Sequence, residues 1–331
     1  MAMLMYPPPL LAGKHLAYPG LPAGFERARK GGPVTWPPVA MDPSEGGGTL
    51  SHERAAQPAP ALVVDAAPAV RHALEALAGL RMVFFAGLPG MGKSLLTHQL
   101  ACLAVAAGRT VHLLQWDVAR DPFERCAAGR RYPQVDGATH LLIRRAVGRW
   151  ARAEVAVWAQ QHPDAPHLLI GEAPLVGGRL IELTQPAADA AEPLLTDPSC
   201  RFVLPVPSAG VRRHVMAERD RRSAAPLHEK ERNDAPPHLM REAWADILDL
   251  ARSNGLPITG DAAASGDYDA DTYERVYRWW LRHRPLQVLP LGTVLPTSTM
   301  SVYDLHDACL PLLPSEAEAD RWVRQVEEEA F

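Results

Sequence analysis

"MVFFAGLPGMGKSLLTHQL", residues 82–100, decides the fold. Its first five residues, Met82 to Ala86, have the length and apolar content of a short buried strand. Gly87, Gly90 and Gly92 follow, and from Ser94 to Ala107 no breaker interrupts a run carrying Leu95, Leu96, Gln99, Leu100, Leu103 and Val105, which reads as a helix ended by Gly108. Gly87-x-x-x-x-Gly92-Lys93-Ser94 fits the phosphate-binding pattern G-x-x-x-x-G-K-[ST], in the strand-before, helix-after context that its mechanism needs. Glycines let the backbone wrap an anion with successive N–H groups turned inward, and the following helix adds the positive end of its dipole. Of 34 basic residues only four are lysine, namely Lys14, Lys30, Lys93 and Lys230, so Lys93 at the end of this turn stands out. The segment Gly87, Leu88, Pro89, Gly90, Met91, Gly92, Lys93 and Ser94 is expected to cradle the phosphates of a nucleoside triphosphate. Lys93 would reach the β- and γ-phosphates, and the Ser94 hydroxyl would ligate Mg²⁺.

Working outward, strands and helices alternate. Expected strands are 110–117, 167–172, 201–207 and 286–291. Expected helices are 67–80, 138–161, part of the charged helix and loop over 210–232, the run ending at Gly255, and "DADTYERVYRWWLRHRP", which carries Tyr273, Val276, Tyr277 and Trp280 along one face. The last helix opens on a capping box, Ser315 with Glu318. Such alternation means a three-layer α/β fold with a mostly parallel sheet, here of five strands, and a helical lid over about 209–232. Residues 61–295 are read as the folded domain and 296–331 as a C-terminal helical extension. Residues 1–60, dense in Pro and Gly, have no helical or strand period and are expected to form a disordered tail.

Bulk properties exclude several classes. The net charge of −4 argues against a general nucleic-acid binder. Cys102, Cys126, Cys200 and Cys309 form no C-x-x-C pair and suit free thiols. No apolar run is long enough to cross a bilayer and no secretory leader is evident, so a cytoplasmic protein is expected. The 13 histidines show no metal-binding spacing, so a protein-held metal is not expected beyond the Mg²⁺ at Ser94.

The reaction turns on carboxylates and arginines outside the loop. Asp117 stands at the end of the strand that follows the loop's helix, 24 positions beyond Lys93. Glu172 closes the apolar run "HLLIGE", Arg179 follows "PLVGG", and Arg212, Arg213, Arg219, Arg221 and Arg222 crowd the segment after the fourth strand. No guanine-reading N-K-x-D segment is present. On the loop, on Asp117 with Arg120 in "QWDVARDPFE", on the strand-end Glu172 and on the arginine-rich run, the sequence resembles the nucleoside monophosphate kinase-like P-loop kinases. Within them it is similar to the zeta-toxin, chloramphenicol phosphotransferase and gluconate or shikimate kinase branch.

The resemblance covers about residues 81–292 and implies an ATP- and Mg²⁺-dependent kinase acting on a hydroxyl of a small molecule or nucleotide. In that reading Asp117 is the base and Arg219 and Arg222 stabilise the transferring group. Arg120, Glu172 and Arg179 bind substrate. More ordinary roles stand beside these: Asp117 as a helix cap, Glu172 as a carboxylate paired with an arginine, Arg179 as a surface cation, and 210–232 as a solvated helix with ion pairs such as Glu218 to Arg222. A regulatory ATPase with a protein partner is the alternative function, and a kinase acting on a nucleic-acid base or end is a less favoured one.

Overall fold

The computed structural model describes residues 62–330 apart from 136, 230, 232–236, 260–265, 298–299 and 304–308. The expected tail over 1–60, and part of the expected lid, lie outside the described residues. Six parallel strands run β1 (Met82–Ala86), β2 (Thr110–Gln115), β3 (His167–Ala173), β4 (Cys200–Pro207), β5 (Leu286–Leu291) and β6 (Cys309–Pro311). Their order across the sheet is β5-β4-β1-β3-β2-β6, with every neighbouring pair parallel. Because the chain leaves β1 toward β2 on one side and later returns to β4 on the other, the carboxyl end of β1 is a switch point. Ligands of open α/β sheets bind at such a point.

Both faces of β1 are buried, as expected of a central parallel strand. Val83 and Phe85 face α1 (Pro68–Ala78) and α2 (Lys93–Ala106). Met82, Phe84 and Ala86 face the layer of α3 (Trp116–Arg125), α4 (Leu141–Gln161), α7 (Pro237–Ser253), α8 (Ala270–Trp280) and α9 (Glu316–Ala330). Between them in the chain lie the short α5 (Glu192–Thr196) and α6 (Ala209–Ala224). Phe84 stacks on Phe202 of β4 at 5.0 Å between ring centroids. Tyr273, Val276 and Tyr277 of α8 are fully buried, as their spacing predicts.

Two expectations are corrected. The sheet has six strands rather than five, because Cys309–Pro311 pairs with Val111 to Leu113 at the edge of β2. Only three residues long and containing a proline, this strand has no alternation to reveal it. The segment 296–331 is consequently not only helical, and it is built into the domain. Helix α9 follows the expected Ser315–Glu318 capping box, and packs on α3 and α4. Asp320 accepts from the Ala128 amide at 2.6 Å, and Glu327 pairs with Arg131.

A buried ionic cluster joins three distant segments. The Arg284 side chain, 0% exposed, reaches both carboxylate oxygens of Glu192 at 3.0 Å, while Arg152 bonds Glu192 at 2.5 Å and Asp189 at 2.6 Å. Burial alone would raise the Glu192 carboxyl, but hydrogen bonds from Arg284 and Arg152 outweigh it and hold the pKa below the ordinary value. Burial likewise opposes, and the Arg152 hydrogen bond and charge reverse, the shift of Asp189, whose pKa is also lowered. Both carboxyls are depressed in the folded state, so their stabilisation is present above the unfolded carboxyl pKa and is lost as pH falls through the folded values. Arg284→Ala is expected to cost about 3 kcal/mol, the low end for breaking a buried pair because Arg152 still serves Glu192. Urea melts at neutral pH and near pH 3 check this, since the difference between wild type and variant should shrink in acid.

Candidate functional site at the glycine loop

The loop bends where glycine is required. Gly87 has φ +144° and Gly92 φ +86°, conformations that a side chain strains to adopt, and a Cβ at Gly87 would also collide with the Tyr273 hydroxyl. Gly92 is the N-cap of α2 and offers no side chain to the helix, whose first closed bond runs from the Leu96 amide to the Gly92 carbonyl. The amides of Lys93, Ser94 and Leu95 thus have no carbonyl one turn back, and with the helix dipole they suit an anion.

Lys93 folds back over this turn. It is buried, and its Nζ donates to the Leu88 carbonyl at 2.8 Å. Burial lowers its pKa to about 8 against the opposing pull of Glu172. Glu172, half-buried near the end of β3, accepts from Ser94 Oγ at 2.9 Å and from Gln115 Nε2 at 3.0 Å. Burial raises the Glu172 pKa, with Lys93 the main opposing charge. The strand register explains the trio: Glu172 lies between Phe85 of β1 and Gln115 of β2, at the carboxyl ends of adjacent strands. Gln115 was not among the expected site residues. Its signal was its place at a strand end, where polar residues are common enough to be overlooked.

On the other side of β2, Asp117 does not cap α3. Gln115 occupies the N-cap position without a side-chain bond, and Asp117 lies in the first turn with its side chain 83% exposed. Arg120 approaches it at 3.9 Å, and its charge reaches Lys93, Glu172 and Arg179. Arg120 itself donates to Thr139 at 3.1 Å. Arg179 is not a free surface cation. Its guanidinium sits over the Trp116 ring at 6.0 Å, and burial lowers its pKa while Asp117 opposes. It is carried by a tight loop in which Leu175 and Leu180, both fully buried, hold φ of +62° and +58°. Such strain in two non-glycine residues is typical of positions where a backbone must aim a functional group. Asp246 of α7 faces the same space, and burial raises its pKa while Arg144 and Arg179 draw it down.

The expected lid arginines separate. Helix α6 lies across the loop: Arg212 is buried with Nη1 3.0 Å from Met91 Sδ and its guanidinium 4.6 Å from the Tyr268 ring. Met216, Met240 and Arg219 surround Gly90, and the charge of Arg219 is felt by Lys93. Arg222, expected beside Arg219 at the transferring group, is held elsewhere. It bonds Glu218 at 2.9 Å, Glu231 at 3.2 Å, the Met300 carbonyl at 2.9 Å and the Thr297 carbonyl, so it braces α6 against the chain after β5. Glu218 also holds Arg221. Two arginines of this segment, Arg221 and Arg222, are thus engaged by acids of the same segment.

Of the expected residues, the structure gathers Gly87 to Ser94, Glu172 and Arg219 around the loop, and Asp117, Arg120 and Arg179 beside them. It leaves Arg222 out. Among the described residues no helix is long and apolar enough to cross a membrane. No protein-family model matches the chain, and no curated protein matches it.

Proposed function

We propose that the chain is an ATP- and Mg²⁺-dependent kinase that phosphorylates a hydroxyl on a small molecule or nucleotide, in keeping with its likeness to the nucleoside monophosphate kinase-like group. The observation that carries this reading is the meeting of Lys93, Ser94 and Glu172 at the mouth of a glycine turn, with a carboxylate and two arginines one strand away. Lys93 would leave the Leu88 carbonyl for phosphate oxygens. Ser94 Oγ would turn from Glu172 to Mg²⁺, freeing Glu172 to hold a water of the metal's shell. When bound, Mg²⁺ supplies neutralisation of the phosphate charge. Asp117 would orient the acceptor hydroxyl and take its proton. Arg219 would steady charge on the transferring group. Arg120 and Arg179, with Trp116 beneath Arg179, suit an acceptor that carries an anionic group.

A regulatory ATPase is the second reading, favoured by the position of Glu172 beside Lys93, where a carboxylate can orient a water. ADP release is measured with Mg²⁺-ATP alone and then with a panel of nucleosides, nucleoside monophosphates, sugars, nucleotide sugars and an oligonucleotide. A kinase is expected to give turnover that one acceptor raises well above background, with a phosphorylated product in equal amount. Hydrolysis indifferent to every acceptor sinks the kinase reading.

A further inference from the structure

The sheet has a second cluster of chemistry at its other end. His112 of β2, His167 at the start of β3 and His162, the C-cap of α4, come together although His112 and His167 are 55 positions apart in the chain. One ring nitrogen from each lies within 4.8 Å of the others. His112 Nε2 and His167 Nδ1 are 3.1 Å apart, and the His162 ring centroid is 4.4 Å from each of the other two. Sequence spacing alone gave no sign of a protein-held metal. The fold supplies the proximity that spacing does not, because parallel pairing of β2 with β3 sets Thr110 beside His167 and thus brings His112 within reach.

We propose that His112, His162 and His167 bind a divalent transition metal, Zn²⁺ being the first candidate, and that the ion pins the last turn of α4 to β2 and β3. Zinc bound tetrahedrally through nitrogen at about 2.0–2.1 Å separates its ligand nitrogens by about 3.3 Å. The His112–His167 pair already has nearly that spacing. His162, on the half-exposed side of the cluster, needs only to swing inward, and water or a small anion completes the shell. Imidazole is a good ligand for zinc, copper and nickel and a poor one for Mg²⁺, so this site is separate in chemistry as well as place from Ser94.

The surroundings hold the ligands in place. Arg81 donates to the carbonyls of Ala159, His162 and Pro163, and Arg109 to those of Ala165 and His167, so the backbone carrying two of the three rings is braced at several points. Trp158 closes the buried side at 5.7 Å from His112. Burial, and then the two neighbouring imidazoles, lower the His112 pKa to about 4. Burial and the charges of His167 and Arg81 lower that of His162. The two guanidiniums disfavour a cation electrostatically, but both are already directed at carbonyl oxygens.

The test uses the full chain, stripped with chelator and desalted. Co²⁺ is titrated by visible absorption and Zn²⁺ by calorimetry, on wild type, His162→Ala, His167→Ala and Ser94→Ala. Wild type and Ser94→Ala are expected to bind one equivalent with the intense bands of low-coordinate cobalt. Both histidine variants should bind at least about tenfold more weakly, since even outer partners of a metal ligand are worth that much. Added Zn²⁺ should raise the melting temperature of wild type and of neither histidine variant. Both replaced side chains are half-exposed, and melts without metal verify that the variants fold. Absence of stoichiometric binding by wild type, or equal binding by the folded histidine variants, overturns the proposal, the second result pointing to the thiols instead.

Discussion

Lys93→Ala is expected to lower acceptor-dependent turnover by about 10² to 10³-fold, the usual loss when a preorganised group that stabilises developing charge is removed. The folded structure should survive, because the substitution deletes a buried cation and leaves no uncompensated charge other than that of Glu172, which still bonds Ser94 and Gln115. The pH dependence gives a second signature. With burial holding the Lys93 pKa near 8, the nucleotide-free protein loses this proton as pH rises through 8, whereas phosphate needs the charged form. Nucleotide affinity in wild type should be level below about pH 7 and fall above 8, by at most about tenfold per pH unit for one linked proton. Calorimetric titration with ATP across that range checks both statements. An alanine variant with wild-type turnover, or a wild-type affinity that is flat to pH 10, would remove Lys93 from the phosphate site.

Asp117→Asn is expected to reduce turnover with the acceptor by about 10² to 10⁴-fold, the range for loss of a positioned general base, while ATP binds as before. The structure separates this from a structural effect. Among the described residues Asp117 makes only the loose 3.9 Å approach to Arg120 and does not cap α3, so its contribution to stability is limited to about 1 kcal/mol of interaction with the helix dipole. A large rate loss with little change in melting temperature is therefore expected. Wild-type turnover in the variant would reassign Asp117 to the helix alone. Unchanged ATP hydrolysis without any acceptor response would favour the ATPase reading.

The glycine turn, β1 and α2 were legible because their determinants are local. Glycine at fixed offsets, an apolar pentad and a helical run each act within a few residues. Strand β5 and the buried face of α8 were legible for the same reason. What escaped were features made by long-range pairing. Strand β6 exists because β2 offers it an edge, Gln115 matters because register places it beside Glu172, and the histidine cluster needs β2 and β3 adjacent. Arg219 and Arg222 were indistinguishable in sequence because both are arginines one helical turn apart. Only the approach of Glu231 and of the Thr297 and Met300 carbonyls decides which of them braces the helix.

The β2–β3 ladder has one more consequence. On these two strands His112 and His167 project to the face of α4, while Gln115 and Glu172 belong with residues that face α2. Side chains alternate with a period of two, so a slip of β2 by a single residue would turn His112 toward α2 and Gln115 toward α4 in the same stroke. The two strands act as a ruler graduated on both sides: the mark that brings the imidazoles together at one end is the mark that sets the carboxylate at the other, and neither can be right while the other is wrong.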